Sequence, residues 1–380
     1  MKKHVAAGFY IALLLIASSV SAVIAPAPAP PTLAANSYIL MDFSSGRILV
    51  SKDIDKKIEP ASITKIMTAY VVYKEIEAGR LTMQSQVVIS KKAWQMGGSK
   101  MFVEVGKQVA VDDLLKGLVI QSGNDAAIAL AEHVGGSEEV FASLMNQYAA
   151  KLGMKNTYFV NSTGWPHARH LTTARDIAIL ARATIAEFPE HYKLYAVHDF
   201  TWNNITQPNR NLLLYRDNTV DGIKTGHTES AGYCLVSSAV RDNMRLISVV
   251  AGTKSDAARA DISQALLGYG YRFYESDQMY AAGEDLNKAR VWKGSAESLS
   301  LGLQDDLNVT VPRGQYKKLK TVMEIMPDIE APVQKGQQLG MVRVMLDGEE
   351  VFSRPLVALQ AVAEGSLWQR TRDNIIRFFQ

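Results

Sequence analysis

One lysine sets the terms for this chain. Lys65 leads into Ile66-Met67-Thr68-Ala69-Tyr70-Val71-Val72, a run too apolar for a solvated surface. Pro60 suits a first helical turn, and Gly79 suits a stop, so the segment after Ser62 reads as a buried helix. A lysine within it is costly unless it is partnered or held partly neutral. Ser62 stands three residues earlier and shares its helical face. A serine needs a base before it can act as a nucleophile, and a lysine with a depressed pKa can be that base. Ser-x-x-Lys by itself recurs by chance in many chains, so the rest of the sequence has to decide what it means.

The chain has 380 residues, is 47% hydrophobic and carries a formal net charge of +3. That length supports two or more domains with a sizeable core. No Lys/Arg block interleaves with aromatics, which argues against nucleic acid as a partner. Residues 1–22 read as an export signal. Lys2 and Lys3 precede an apolar stretch from Val5 to Val20, and Val20-Ser21-Ala22 is a small-residue cleavage site. Residues 23–36, with Ala25-Pro26-Ala27-Pro28-Ala29-Pro30-Pro31, form a stiff linker. Cys234 is the only cysteine, so no internal disulfide can form, and its apolar neighbours make it a core residue.

Residues 366–380 form an amphipathic helix. At 100° per residue, Leu367, Trp368, Thr371, Ile375, Phe378 and Phe379 share one arc, with Arg370, Asp373, Asn374 and Arg377 opposite. Its reach of about 22 Å is too short to cross a bilayer and suits a helix lying in the membrane interface.

Between the ends, Ser37–Phe43 and Arg47–Ser51 read as a hairpin around Ser44-Ser45-Gly46. Residues 85–110 are loop-rich. Helices follow from Asp112, from Asp125 to His133, from Ser137 to about Leu152, and from Thr172 through Ala186. Val220–His227, Ala231–Val240 and Met244–Gly252 are strands, closed by a helix over Ser255–Ser276. Residues 37–283 thus form a mostly antiparallel sheet with helices packed on it, an α/β (α+β) domain. Residues 284–365 carry five short strand candidates and form a small all-β domain.

Ser62-x-x-Lys65, Ser122-Gly123-Asn124 and Lys224-Thr225-Gly226 occur in that order at a helix start, an inter-helix loop and a strand beside the sheet centre. This set is the signature of penicillin-binding proteins and class A β-lactamases. With Ser37-Tyr-Ile-Leu, Pro60-Ala-Ser-Ile-Thr-Lys65, Gln121-Ser-Gly-Asn-Asp125, Asp221-Gly-Ile-Lys-Thr-Gly-His-Thr228 and Arg354-Pro-Leu-Val, the chain resembles the type-5 low-molecular-mass penicillin-binding proteins. These are serine D-alanyl-D-alanine carboxypeptidases of peptidase family S11. The likeness covers essentially the whole mature chain.

The resemblance implies a penicillin-binding/serine β-lactamase-like fold with Ser62 as the nucleophile on the D-Ala-D-Ala peptide bond. Lys65 is then the base, its pKa lowered by burial and by Lys224, and Ser122 relays the proton to the departing D-alanine. Asn124 holds Lys65 and the substrate amide. Lys224, Thr225 and Arg259 suit the terminal carboxylate, and Gly226 lets substrate pass close to the strand. The backbone N–H groups of Ser62 and His227 form an oxyanion hole. Arg210 and His170 are structural neighbours. Implied partners are peptidoglycan pentapeptide stems, β-lactams as covalent inhibitors and a membrane surface through residues 366–380. No metal or other cofactor is implied. The setting is the periplasmic face of the inner membrane, with a role in cell-wall biogenesis and cell shape.

A β-lactamase is the rival within the fold, but its fast deacylation uses a glutamate and a water. No glutamate occurs between Glu139 and Glu187. An endopeptidase cutting cross-linked stems carries the same motifs. A non-catalytic wall binder would have no need of Ser62, Lys65 and Lys224.

Overall fold

The computed structural model describes residues 27–378, so the anticipated export signal over residues 1–22, residues 23–26, Phe379 and Gln380 lie outside it. At its centre is a five-stranded antiparallel sheet in the order β2-β1-β9-β8-β7. It comprises β1 (Ser37–Asp42), β2 (Ile48–Lys52), β7 (Val220–Thr228), β8 (Gly232–Arg241) and β9 (Met244–Thr253). Every β1 residue is buried because both faces of the sheet are covered. Strand alternation sorts the side chains: Ile39, Met41, Ile247 and Val249 enter one core, and Tyr38, Leu40, Leu246 and Val250 the other.

The first core lies under a helical layer of α1 (Lys65–Glu77), α3 (Val111–Val119), α4 (Asn124–Gly135), α5 (Glu138–Lys151) and α6 (Ala174–Glu187). The second is closed by α9 (Asp256–Phe273). The anticipated helices form where expected. Ser137, Thr173 and Ser255 cap α5, α6 and α9 by accepting N–H bonds at the first turn, so α6 begins one residue later than read. Two departures follow from local chemistry. The segment at Ser62 opens as a 3-10 turn, Ala61–Thr64, before α1 begins. The loop-rich 85–110 region holds the β3 (Gln86–Val88) and β4 (Gln108–Ala110) pair and a short α2 (Lys91–Gln95), capped by Ser90. Between α6 and β7 lie two single-turn helices, α7 (Pro189–Tyr192) and α8 (Leu213–Arg216), and a hairpin of β5 (Asp199–Trp202) and β6 (Ile205–Pro208).

The anticipated position of the Lys-Thr-Gly strand is corrected. β7 is an edge of the sheet, not a strand beside its centre. An edge leaves main-chain groups available for pairing, which is how extended peptides join a sheet. The closing helix also stops at Phe273 rather than Ser276. The chain then forms β10 (Tyr274–Tyr280), which pairs with β13 (Leu307–Pro312).

The C-terminal part is a second five-stranded antiparallel sheet, β11-β12-β16-β15-β14. Its strands are β11 (Asn287–Arg290), β12 (Ser298–Gly302), β14 (Lys320–Ile325), β15 (Gln338–Leu346) and β16 (Glu349–Ala358). Leu299, Leu301, Val309, Val342, Val344 and Leu356 fill its own core. It meets the first domain through Ser45, whose hydroxyl lies 2.6 Å from that of Thr310, and Arg47, which donates to the Thr310 carbonyl.

The final helix, α10 (Leu367–Phe378), docks on this β-domain by its polar side. The buried Asp373 carboxylate accepts from the Lys293 N–H at 2.6 Å, and Arg370, Arg372 and Arg377 pair with Glu364, Glu297 and Glu330. The apolar arc faces outward, with Leu367 81% and Trp368 77% exposed. Among the described residues, no helix is long and apolar enough to cross a membrane.

Candidate active site

A cavity of about 520 Å³ opens where the 3-10 turn, β7 and the loop before α8 meet; Ser62, Ser122, Arg210, Thr225, Gly226, His227, Tyr233 and Arg259 line it. All three sequence motifs converge here. Lys65, Asn124 and Lys224 do not line the cavity but are buried close by.

Lys65 is 1% exposed at the first position of α1. Its Nζ lies 3.0 Å from Ser62 Oγ and donates to Asn124 Oδ1 at 2.7 Å and to the Thr163 carbonyl at 2.9 Å. Burial lowers its pKa to about 7, helped by repulsion from Arg210 and opposed by Asp125. Arg210 is thus a further cation acting on Lys65, beside the Lys224 repulsion that was anticipated. Lys224 is 2% exposed and held well below the usual lysine range, first by burial and then by Lys65, Arg210 and Arg259. Among the described residues, nothing accepts a hydrogen bond from its Nζ. An anion entering the cavity would therefore find poorly compensated positive charge.

The backbone around Ser62 is tightly constrained. Ala61 has φ +46°, in the left-handed region that costs a non-glycine residue about 1–3 kcal/mol. Gly164 makes this turn possible: a Cβ there would lie 1.7 Å from the Ala61 carbonyl oxygen. Gly226 serves similarly, since its Cβ would meet Pro60 O at 3.0 Å and Ile63 at 3.2 Å. The glycine of the third motif thus lets the turn that carries Ser62 approach the edge strand, a packing reason beyond the anticipated passage of substrate.

Ser122 is also left-handed, at φ +63°, in the break between α3 and α4, where its neighbour Asn124 opens α4. Asn124 spans the site, accepting from Lys65 and donating to the Gly97 carbonyl at 2.8 Å. Asp125, given no role from sequence, accepts from the N–H groups of Met101, Phe102 and Val103 and fixes the facing loop. The side chain of Arg259 is largely committed: it donates to the Gly226 and Cys234 carbonyls, pairs with Asp256 and covers the Tyr233 ring. The His227 ring is exposed and lies tilted against Tyr233, with centroids 3.9 Å apart. Buried His170 contacts Thr64 Oγ1 and accepts from the Val160 N–H, as a structural residue would. Cys234 is a buried free thiol.

Sequence reasoning saw the turn at Asn161-Ser-Thr-Gly164 but gave Thr163 no role. Asn161 Oδ1 accepts from the N–H groups of Thr163, Gly164 and Trp165, a knot that directs the Thr163 carbonyl at Lys65. The Asn161-Ser-Thr-Gly164 turn was visible as a signal. Its link to a lysine 98 residues away was not.

The comparisons agree with this geometry. The family model described as D-alanyl-D-alanine carboxypeptidase, peptidase S11, matches residues 24–255, and the penicillin-binding protein 5 C-terminal domain matches residues 274–364. D-alanyl-D-alanine carboxypeptidase DacC of Escherichia coli is 43% identical over 357 residues, covering 92% of this chain and 89% of that protein. DacA of the same organism is 40% identical over 361 residues, covering 93% and 89%. Among solved structures, penicillin-binding protein 5 of Haemophilus influenzae aligns with a TM-score of 0.86 at 40% identity, covering 89% of this chain and all of that one. With its Ser-x-x-Lys turn set against an edge strand bearing Lys-Thr-Gly, the chain belongs to the S11 family of D-alanyl-D-alanine carboxypeptidases.

Proposed function

We propose that the chain is a serine D-alanyl-D-alanine carboxypeptidase that removes the terminal D-alanine from peptidoglycan pentapeptides. The observation that carries this reading is the contact of Ser62 Oγ with a buried lysine whose pKa is about 7, at the base of a cationic cavity. A neutral Lys65 has two N–H bonds and one lone pair. With the N–H bonds given to Asn124 and Thr163, the lone pair faces the Ser62 hydroxyl. Ser62 then loses its proton to Lys65 as Oγ attacks the carbonyl carbon of the scissile bond.

The resulting oxyanion is held by the N–H groups of Ser62 and His227, where one such donor contributes about 3 kcal/mol. Collapse breaks the C–N bond, and the proton passes through Ser122 to the departing D-alanine nitrogen. Water then hydrolyses the Ser62 ester, with Lys65 again taking the proton. Lys224, Thr225 and Arg259 attract the terminal carboxylate, and Asn124 orients Lys65 and the substrate amide. A β-lactam acylates Ser62 by the same attack, and its ring-opened ester persists. No glutamate lines the cavity among the described residues, which favours slow release over β-lactamase turnover.

The division into an export signal over residues 1–22, a linker to 36, a catalytic domain to 283, a β-domain to 365 and a terminal helix belongs to this reading. So do export, a site at the outer face of the cytoplasmic membrane, and anchoring by residues 366–380. The outward apolar arc of α10 supports the anchor. Deleting residues 366–380 should move the protein to the soluble fraction with activity intact; a truncated form that stays with membranes contradicts it.

The decisive assay incubates wild type and Ser62→Ala with a pentapeptide ending in D-Ala-D-Ala, with a cross-linked dimer and with labelled penicillin. Wild type alone should release D-alanine and hold a stable penicilloyl group. Cleavage of the dimer alone would make the protein an endopeptidase, and rapid penicillin turnover would make it a β-lactamase.

A further inference from the structure

Behind the Thr163 carbonyl lies a buried carboxylate that no part of the reaction above uses. Glu138 is the first residue of α5, and its Oε1 accepts from both the Ser162 N–H at 3.0 Å and the Ser162 hydroxyl at 2.8 Å. Its other oxygen pairs with Lys92 of α2 at 2.8 Å. The Ser162 carbonyl accepts from Thr68 Oγ1 on α1, one turn beyond Lys65, at 2.6 Å. Ser162 is thus gripped from two helices, and the next carbonyl along the chain is the one that receives Lys65.

We infer that Glu138 is a positioning residue for the acylation step: by clamping Ser162 it sets the Thr163 carbonyl against Lys65 Nζ and so aims the lysine at Ser62. This inference rests on the carboxypeptidase reading and adds a control point outside its three motifs. The physical case is one of cost. A carboxylate in the interior loses hydration that two bonds from one serine and one half-exposed lysine only partly restore. A turn of this kind could be held by neutral groups, as Asn161 already holds its far side. The charged acceptor makes the grip stronger, because hydrogen bonds to a carboxylate are roughly twice as strong as neutral ones. Stiffness matters here because a misplacement of about 1 Å in a reacting group can cost about 10²-fold in rate.

The charged surroundings define how the effect would read out. Glu138 faces Lys92 on α2, with Glu139 and Glu132 acting on that lysine and His170 near the carboxylate. Lys65 faces Arg210, Asp125 and Lys224. Loss of the Thr163 carbonyl from Lys65 removes an acceptor that favours its protonated form. The acidic limb of the pH–rate profile should then move to lower pH while the maximum rate falls.

Three variants test this in the full-length protein: Glu138→Ala, Glu138→Gln and Ser162→Ala. Each is assayed for D-alanine release and penicillin acylation across pH 5–9, alongside a melting curve. Glu138→Ala should lower kcat about tenfold or more with KM little changed and shift the acidic limb downward. Glu138→Gln, which keeps acceptors for Ser162, should recover most of kcat and the wild-type limb. Ser162→Ala, which keeps the N–H bond, should fall between them. If Glu138→Gln recovers nothing over Glu138→Ala, restoring an acceptor for Ser162 does not restore the turn and the positioning role is wrong. If Glu138→Ala melts lower but keeps kcat and pH profile, the residue is structural only and the inference fails while the carboxypeptidase reading stands. A wild type without serine-dependent D-alanine release overturns both.

Discussion

The two domains solve the problem of burial in opposite ways. The β-domain core is an apolar stack of Leu299, Leu301, Val309, Val342 and Leu356, and its arginines stay at the surface in pairs such as Arg343–Glu350. The catalytic domain buries Lys65, Lys224, Asp125, Asp176 and Glu138. Each is costly unless partnered, and Lys224 lacks a hydrogen-bond partner among the described residues. The contrast extends to the backbone. In the β-domain the left-handed Asp347 sits at an exposed turn, whereas buried Ala61 and Ser122 hold that conformation beside Ser62 and within the second motif. One domain is built for stability, and the other gives some of it up to hold charges where chemistry needs them.

Substitutions can break this contrast or sharpen it. Ser62→Ala should remove activity by about 10⁴-fold or more, since loss of a nucleophile leaves only binding and the oxyanion hole. D-alanine release measures it, and residual activity near wild type would deny the site. Lys65→Arg places a permanent cation where a neutral base is needed, and should lower kcat by about 10²–10⁴-fold.

Lys224→Met should separate the two demands. It should lower kcat/KM on D-Ala-D-Ala peptides by about 10–100-fold while raising Tm by a few degrees, because an uncompensated buried charge is removed. Leu301→Ala in the β-domain should do the reverse, costing about 2–5 kcal/mol of stability in denaturant titration and leaving kcat unchanged. A Lys224→Met protein that melts lower, or a Leu301→Ala protein that loses kcat, would erase the contrast.

The last readout is the pH dependence of stability. Lys65 is charged in the unfolded chain up to its ordinary pKa of 10.5 but neutral in the folded protein above about 7. Between those values the unfolded chain binds more protons, so stability rises with pH there, and it gains nothing from this group below pH 7. Lys65→Met should flatten that slope.

Much of this was legible in the sequence. The apolar run after Lys65, the capping residues Ser137 and Ser255 and the alternation in β8 and β9 carry their structure locally, so their elements form where expected. The motif triplets named the chemistry because a serine, a lysine and a Lys-Thr-Gly strand are each chemically marked. What stayed hidden depends on approach between distant segments. That β7 is an edge follows from sheet order, which no local pattern encodes. Gly164 read as an ordinary glycine and Gly226 as room for substrate, until Ala61 and Pro60 come against them. Arg210 acts on Lys65 from 145 positions along the chain, and Asp125 looked like part of a motif rather than the anchor of a loop.

The central claim is that a buried lysine, neutral near pH 7, removes the proton from Ser62. Its most direct measurement is the rate of penicillin acylation from pH 5 to 9, followed by intact mass with the adduct mapped by peptide. The predicted result is an adduct on Ser62 whose rate climbs through an acidic limb centred near pH 7, and which Lys65→Arg abolishes. An adduct on another residue, or a rate on Ser62 that ignores both pH and Lys65, would contradict it.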